Sequence, residues 1–523
     1  MTRQATLTDL QVITEPLGGS PLSVAAQAGN VPEAWYLKRP DTLRVWQAHM
    51  YRVAERFGGQ WLAALEPALA ASGEAAHRLR RVASGEGVVI TTGQQPGLFG
   101  GPVYTFSKAL TALALADELE ARTGVPVAAV FWAATDDTDF DEARWTKVAM
   151  PGGVVRLELR DVPPPGIPMS AAPLGDVTAQ LELLERASGS AAFAQAIDAV
   201  RVAYRDGATV GSAYVKLLRA LLEPLGVAVL DASHVTVRRQ GAAILREALL
   251  RAPEIVLALR KRADELGAAG FEPRVSDVAD LSLVFSLKGK AKQRIALRDA
   301  GAAAESANAD SLSPNVLLRP VLERAVLPTA AYAAGPAELA YFAQVSAVAD
   351  TLGVDRPLAV PRWSCTIIEP HIQRILERLG IDYTELSDPH ALEGRLARAA
   401  LPDSVESALA RVRDAIDRAV ATLSADAEAA ALVPTPAVAG AKGSLVDRLR
   451  RLERRYVAAV KRREEDLMRE VATARAHLYP DGKRQERALN FIPMLARQGP
   501  PLLAAMRDAS GTHARALVGA SQL

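Results

Sequence analysis

"VVITTGQQPGLFGGPVYTFSKALTALALADELEARTGVPVAAVFW", residues 88–132, decides the fold. A β-branched run leads into a loop carrying Gly93, Gly97, Gly100 and Gly101. Apolar residues then recur at helical spacing until Gly124, a residue suited to cap a helix end. "VPVAAVFWAAT" follows as a continuous apolar run, the pattern of a strand buried on both faces. Pro102 falls at the expected first helical position, where its missing N–H costs nothing. Strand, helix and strand make a βαβ unit and hence a parallel sheet.

The same grammar returns downstream. "SAYVKLLRALLEPLG" reads as a helix, "VAVLDAS" as a strand ending in Asp231, and "PLAVPRW" as a further strand behind the "VSAVADTLG" helix. The expected fold is α/β: a Rossmann-like, doubly wound parallel sheet with inserted segments. Residues 1–385 form that core, with about 150–200 an insertion marked by "PPPGIPM". Near Pro402 the texture changes. Asp403 and Glu406 have capping spacing. Val405, Leu409, Val412, Ile416, Val420 and Leu423 then recur in steps of three and four, a coiled-coil seam. "LVPTPAVAGAKG" interrupts it, and the pattern resumes behind Ser444 as Leu445, Leu449, Leu452, Tyr456 and Val460. Residues 386–477 are therefore expected to form an antiparallel helical arm, either protruding and dimer-forming or packed on the sheet. Residues 478–523 return to the core.

Composition limits the function. Among 523 residues, 49% are apolar and 23% charged, and 61 Lys+Arg against 60 Asp+Glu leave a formal charge of +1. Such a balance gives no electrostatic case for nucleic acid or an anionic membrane. No apolar run approaches the ~20 residues that span a bilayer, and the N-terminal stretch lacks the layout of a secretory signal. Cys365 is the sole cysteine, and the seven histidines show no ligand spacing. A cytoplasmic protein without a metal site is the expectation.

In an open α/β sheet, ligands lie beyond the carboxyl ends of the strands. Two loops fall there. The 93–102 loop offers glycines that let N–H groups approach a ligand and a helix N-terminus behind them. It matches neither GxGxxG nor the Walker A pattern. Lys108, two turns into the helix, faces either the site or solvent. "TDDTDFDEARW", residues 135–145, packs Asp136, Asp137, Asp139, Asp141 and Glu142 into seven positions. Acids collected at a helix N-terminus account for Asp141 and Glu142; the others suit gripping an amine or hydroxyls, or general-base work.

"GQQPGLFGGPVYTFSK" followed by "VPVAAVFWAATDDTDFDEARW" resembles the bacillithiol-biosynthesis cysteine-adding enzymes, the cysteine ligase family. The likeness continues in "SPNVLLRPVLERAVLPTAAYAAGPAELAYFAQV", "VPRWSCTIIEP" and "HLYPDGKRQERALN", in order along nearly the whole chain. The resemblance implies a Rossmann-like core related in outline to class I aminoacyl-tRNA synthetases, and a coiled-coil homodimer. It implies a ligase joining L-cysteine to the amino group of glucosaminyl malate. Because an amide needs an activated acyl donor, ATP or ADP is the cofactor expected.

By the same resemblance, Gln94, Gln95, Gly97, Gly101, Tyr104 and Lys108 match the first loop and helix. Asn315, Arg319, Gly335, Pro336, Glu338, Tyr341 and Gln344 match the central segment, and Gln485, Glu486, Arg487 and Asn490 the last. Arg319 and Arg487 are natural forks for a malyl carboxylate or a phosphate; an ion pair with the core is the other reading of Arg487. Asp137, Asp139 and Glu142 keep the family's register as catalytic carboxylates. One departure stands out: Thr138 and Trp145 occupy places where the family carries histidines. Losing a proton carrier there costs about 10²–10⁴-fold in rate. A catalytically silent member that binds a metabolite or nucleotide and acts through its arm is the alternative, as is a changed substrate.

Overall fold

The computed structural model describes residues 10–276 and 280–519. Residues 1–9, the start of the stretch read for a secretory signal, and 520–523, the end of the 478–523 segment, lie outside the described residues. Two compact units divide the chain. One takes in the described residues up to Val148, Val155–Glu369, and those from Arg484 onward; the other takes in Ala149–Val154 and Pro370–Lys483.

The first unit is built on β1 (Val88–Gln94), α1 (Val103–Thr123), β2 (Val127–Ala133), α2 (Phe140–Ala143), β3 (Val227–Asp231), α3 (Arg319–Val326), β4 (Thr329–Ala334), α4 (Pro336–Leu352) and β5 (Ala359–Pro361). The sheet runs in the order β3-β2-β1-β4-β5, every neighbouring pair parallel. Every residue of β2 and β4 is buried, which is why both read as unbroken apolar runs. Strand order reverses between β1 and β4. The crevice at their carboxyl ends is the topological switch point, where doubly wound sheets bind ligands.

α1 is buried along most of its circumference and packs against both the sheet and the C-terminal helix Pro500–Val518. Gly124 closes it in the left-handed region (φ 73°), donating its N–H to Glu120. Pro102 is the extended residue before the helix rather than its first turn, because it bridges to Asn490. Helices Thr178–Ser188 and Gln195–Ala203 occupy the segment read as an insertion.

The second unit contains α5 (Asp403–Ala425), α6 (Thr435–Arg463) and α7 (Glu465–Leu478). Ion pairs Asp417–Lys442 and Arg413–Glu453 show α5 and α6 running antiparallel. Their base packs Ala397, Leu401 and Val460 together. Two details differ from the sequence reading. Pro402, not Asp403, precedes α5, so Asp403 and Glu406 sit inside the first turn and no side chain caps it. α6 begins at Thr435 rather than behind Ser444; Gly440 and Gly443 are helical, and the reversal falls before Pro434. No described helix is long and apolar enough to cross a membrane.

Candidate active site

A cavity of about 600 Å³ opens at the switch point, lined from β1, the loop after β2, α1, α3, the start of α4, and a hairpin formed by Leu281–Lys288 and Ala291–Ala296. Its size suits a small metabolite. Gly93 at the end of β1 and Gly335 after β4 leave the floor open: a Cβ on Gly335 would fall 3.2 Å from Glu338 and 3.6 Å from Lys108.

Lys108 faces this site, not solvent. It is 3% exposed and reaches Glu338 at 2.7 Å, the Gly93 carbonyl at 2.7 Å and Gln94 Oε1 at 2.9 Å. Glu338 also accepts from the Gly335 N–H at 2.6 Å and the Tyr332 hydroxyl at 2.5 Å. Arg319 donates to the hydroxyls of Tyr341 at 3.0 Å and Tyr332 at 3.4 Å. Burial pushes the Lys108 ammonium below its ordinary range, opposed by Glu338. For Glu338 burial acts upward, but Lys108 and Arg319 outweigh it and hold the carboxyl below its ordinary range. The floor is thus a charged, hydrogen-bonded network in a fixed arrangement.

The carboxylate loop separates into roles. Asp136 is tied to Lys292, which also donates to the Asp136 carbonyl at 2.6 Å. Asp137 lines the cavity and accepts from the Asp139 N–H at 2.8 Å. Burial lifts its pKa, with Asp136 adding to the effect. Asp139 is outside the cavity lining; its side chain caps α2 by accepting from the Glu142 N–H. Asp141 pairs with Arg144 on the surface. Glu142 lines the cavity from an exposed position and accepts from Gln95 Nε2 at 2.6 Å; partial burial of its carboxyl, followed by Asp139 and Asp137, raises its pKa. Tyr104 lies beneath the Arg362 guanidinium, 5.7 Å from the ring centre.

Of the remaining residues singled out in the sequence, Gln94, Gln95, Tyr104, Asn315, Arg319, Gly335, Glu338, Tyr341 and Arg487 also line this cavity. Gly97 and Gly101 do not; they line a smaller recess beside it. Their N–H neighbourhood is also occupied. Gly100 and Gly101 donate to the Gly97 and Leu98 carbonyls, and Val103 donates to Leu489. The side chains of Gln94 and Gln95, rather than that loop's N–H groups, face the cavity. Gln485 and Asn490 are buried outside it. Gln485 pairs with both backbone groups of Ile367, and Asn490 holds the carbonyls of Leu98 and Phe99. Gln344 braces Val275 in the same way.

Sequence reasoning missed Arg238, Arg274, Lys292, Arg294 and Arg362. With Lys108, Arg319 and Arg487 they bring eight cationic side chains to the lining, against the four carboxylates of Asp136, Asp137, Glu142 and Glu338. Arg362 had a readable signal, since a cation within an apolar run needs a buried counter-charge.

The family description "Bacillithiol biosynthesis BshC, N-terminal Rossmann-like domain" matches residues 34–363, and "Bacillithiol biosynthesis BshC, C-terminal coiled-coil domain" matches 365–515. The chain belongs to the BshC family. A relative from Solibacter usitatus, named "Putative cysteine ligase BshC", is 33% identical over 470 residues, covering 85% of this chain and 87% of its own. The relative of the same name from Koribacter versatilis is 32% identical over 469 residues, covering 86% of each chain. That from Salinibacter ruber is 29% identical over 463 residues, covering 83% of each. The BshC resemblance read from the motifs, the Rossmann-like sheet and the coiled coil all stand.

Proposed function

We propose that this chain is a ligase that joins L-cysteine to the amino group of glucosaminyl malate, or carries out a closely related amide-forming reaction. The cationic surplus of the switch-point cavity carries this reading. A malyl group presents two carboxylates, and paired carboxylates or phosphates are best met by guanidinium forks. Arg274 and Arg487 line the cavity, and their guanidiniums make no hydrogen bond or ion pair among the described residues. The names of the BshC relatives support the same chemistry.

Amide formation in water requires an activated carboxyl group, and a bound adenine nucleotide would supply that activation. The free guanidinium of Arg274 fits its phosphates. Asp137 lines the cavity, and burial raises its pKa; in this reading it takes the proton of the acceptor amine as general base. With the carboxyl so activated, the amine nitrogen would bond to the carbonyl carbon as its bond to the phosphate-bearing leaving group breaks, the electron pair leaving with that group, and the amine proton would pass to Asp137. The Lys108–Glu338–Arg319 network holds the polar groups of the substrate in place.

One observation favours the second reading, a member that binds a metabolite without turning it over. Among the described residues no histidine lines the cavity, and Thr138 is part of its lining. A cytoplasmic homodimer, joined through the helical unit, completes the proposal. The apolar stripe left exposed on α5 and α6 supports it. Incubating the purified chain with L-cysteine, glucosaminyl malate and ATP, with product followed by mass spectrometry, tests the assignment. A thiol amide is the expected product. Substrate binding in calorimetry without product leaves the silent-member reading in possession.

A further inference from the structure

We infer that the recess beside the main cavity is the subsite for the side chain of the amino acid consumed, shaped for a short uncharged group such as CH2SH. The inference rests on the ligase reading above. The recess holds about 80 Å³ and shares Gln94, Gln95, Tyr104, Glu142 and Arg487 with the cavity, so the two spaces meet at that mouth. At ~30 Å³ per water-sized group it admits roughly two or three non-hydrogen atoms.

Its size is fixed by groups that cannot recede. Gly97 and Gly101 form one wall by backbone alone, since a Cβ on Gly97 would fall 2.8 Å from Gly101 Cα. Trp145 forms another and is held by Arg156 at 4.8 Å and Lys147 at 5.5 Å from its ring centre. Polarity is equally specific. Thr105 lines the recess, is 1% exposed, and its hydroxyl has no hydrogen-bond partner. A buried unpaired hydroxyl is costly, so a ligand that pairs with it is favoured over one that does not. An S–H or O–H group meets that need and a methyl group does not. At the mouth stand one carboxylate, Glu142, and one unpaired guanidinium, Arg487. That pair of opposite charges suits the ammonium and carboxylate of a free α-amino acid. The carboxylate then faces the cavity where the acceptor amine lies.

Calorimetric titration of the full chain with L-cysteine, L-serine, L-alanine and L-leucine, with and without ATP, tests the assignment. The native protein should bind cysteine and serine at least tenfold more tightly than leucine. Trp145→Ala should narrow that gap by tenfold or more. Thr105→Val, which keeps shape and removes the hydroxyl, should weaken cysteine and serine several-fold and leave alanine unchanged. This conservative variant carries the test should Trp145→Ala not fold. Leucine binding as tightly as cysteine, selectivity unmoved in the folded variants, or no amino acid bound at all overturns the assignment. Selective binding without ligation sinks the ligase reading alone; ligation with unmoved selectivity sinks the recess alone.

Discussion

Arg362 and Glu486, 124 residues apart in sequence, meet in a two-bond fork buried beside the cavity, at 2.9 and 2.8 Å. Glu486 also accepts from Ser364 Oγ at 2.9 Å. The pair fixes the segment that carries Arg487 at the cavity rim.

Removing one partner leaves the other charge buried, which typically costs about 3–5 kcal/mol. Glu486→Gln should therefore lower the urea midpoint sharply, while Arg362→Met combined with Glu486→Leu should lower it less than either change alone predicts. The pair also has a pH signature. Burial acts upward on Glu486, but Arg362 outweighs it and holds the carboxyl below its ordinary range. Its stabilisation is complete above the unfolded pKa and fades as pH falls through the folded one. Additive effects in the double variant would show that the fork is not coupled.

Glu323 has the opposite sign. It is buried beneath Arg319, 3.4 Å away, and burial lifts its pKa from 4.5 to about 7, with Arg319 opposing. A carboxyl raised by folding stabilises the protein below its unfolded pKa, and that contribution is lost as pH rises through the folded value. Between pH 4.5 and about 7 its contribution to unfolding free energy should decline. Glu323→Gln should remove that slope while keeping the fold. Identical slopes in the variant and the native chain over that window would assign them to other groups.

The sequence made some of this legible and hid the rest for physical reasons. β1, β2 and α1 were readable because burial on both faces removes alternation, and Gly124 marks the helix end. Lys108 was ambiguous because helical spacing does not reveal which distant acid lies opposite; Glu338, on another helix, decides it. Lys292 sits in "LKGKAKQR", a hairpin rich in solvated lysines, and nothing local marks it as the one that reaches Asp136. Gly440 and Gly443 resembled a turn, yet a long helix tolerates them at about 1 kcal/mol each. Pro434 and Pro436 were the better start signal.

The helical unit leaves Val412 and Leu423 on α5, and Leu445, Leu452 and Tyr456 on α6, between 41% and 51% exposed. Leu445, Leu452 and Tyr456 follow one another at seven and four positions, a single stripe. Such a stripe is expected to bury itself against a second copy. Leu452→Glu with Tyr456→Glu should give monomers in light scattering without altering the near-UV CD of the core. A native chain that is already monomeric at micromolar concentration would leave the stripe without this role.

Thr138 separates the two functional readings most directly. It lines the cavity between Asp137 and Asp139, where the motif comparison sets a histidine. Carboxylates beside an imidazole raise its pKa and orient it, so a histidine here would carry a proton near neutral pH. Threonine brings a hydroxyl and no change of charge. If Asp137 alone serves as base, the native protein should ligate slowly, and Thr138→His should raise kcat by about tenfold or more with KM little changed. Trp145→His addresses the second departure, but it also enlarges the recess, so it should shift amino-acid selectivity as well as rate. Fast ligation by the native chain would show that these histidines are dispensable. Absence of ligation in both forms, with glucosaminyl malate still bound, would assign the cavity to recognition without turnover.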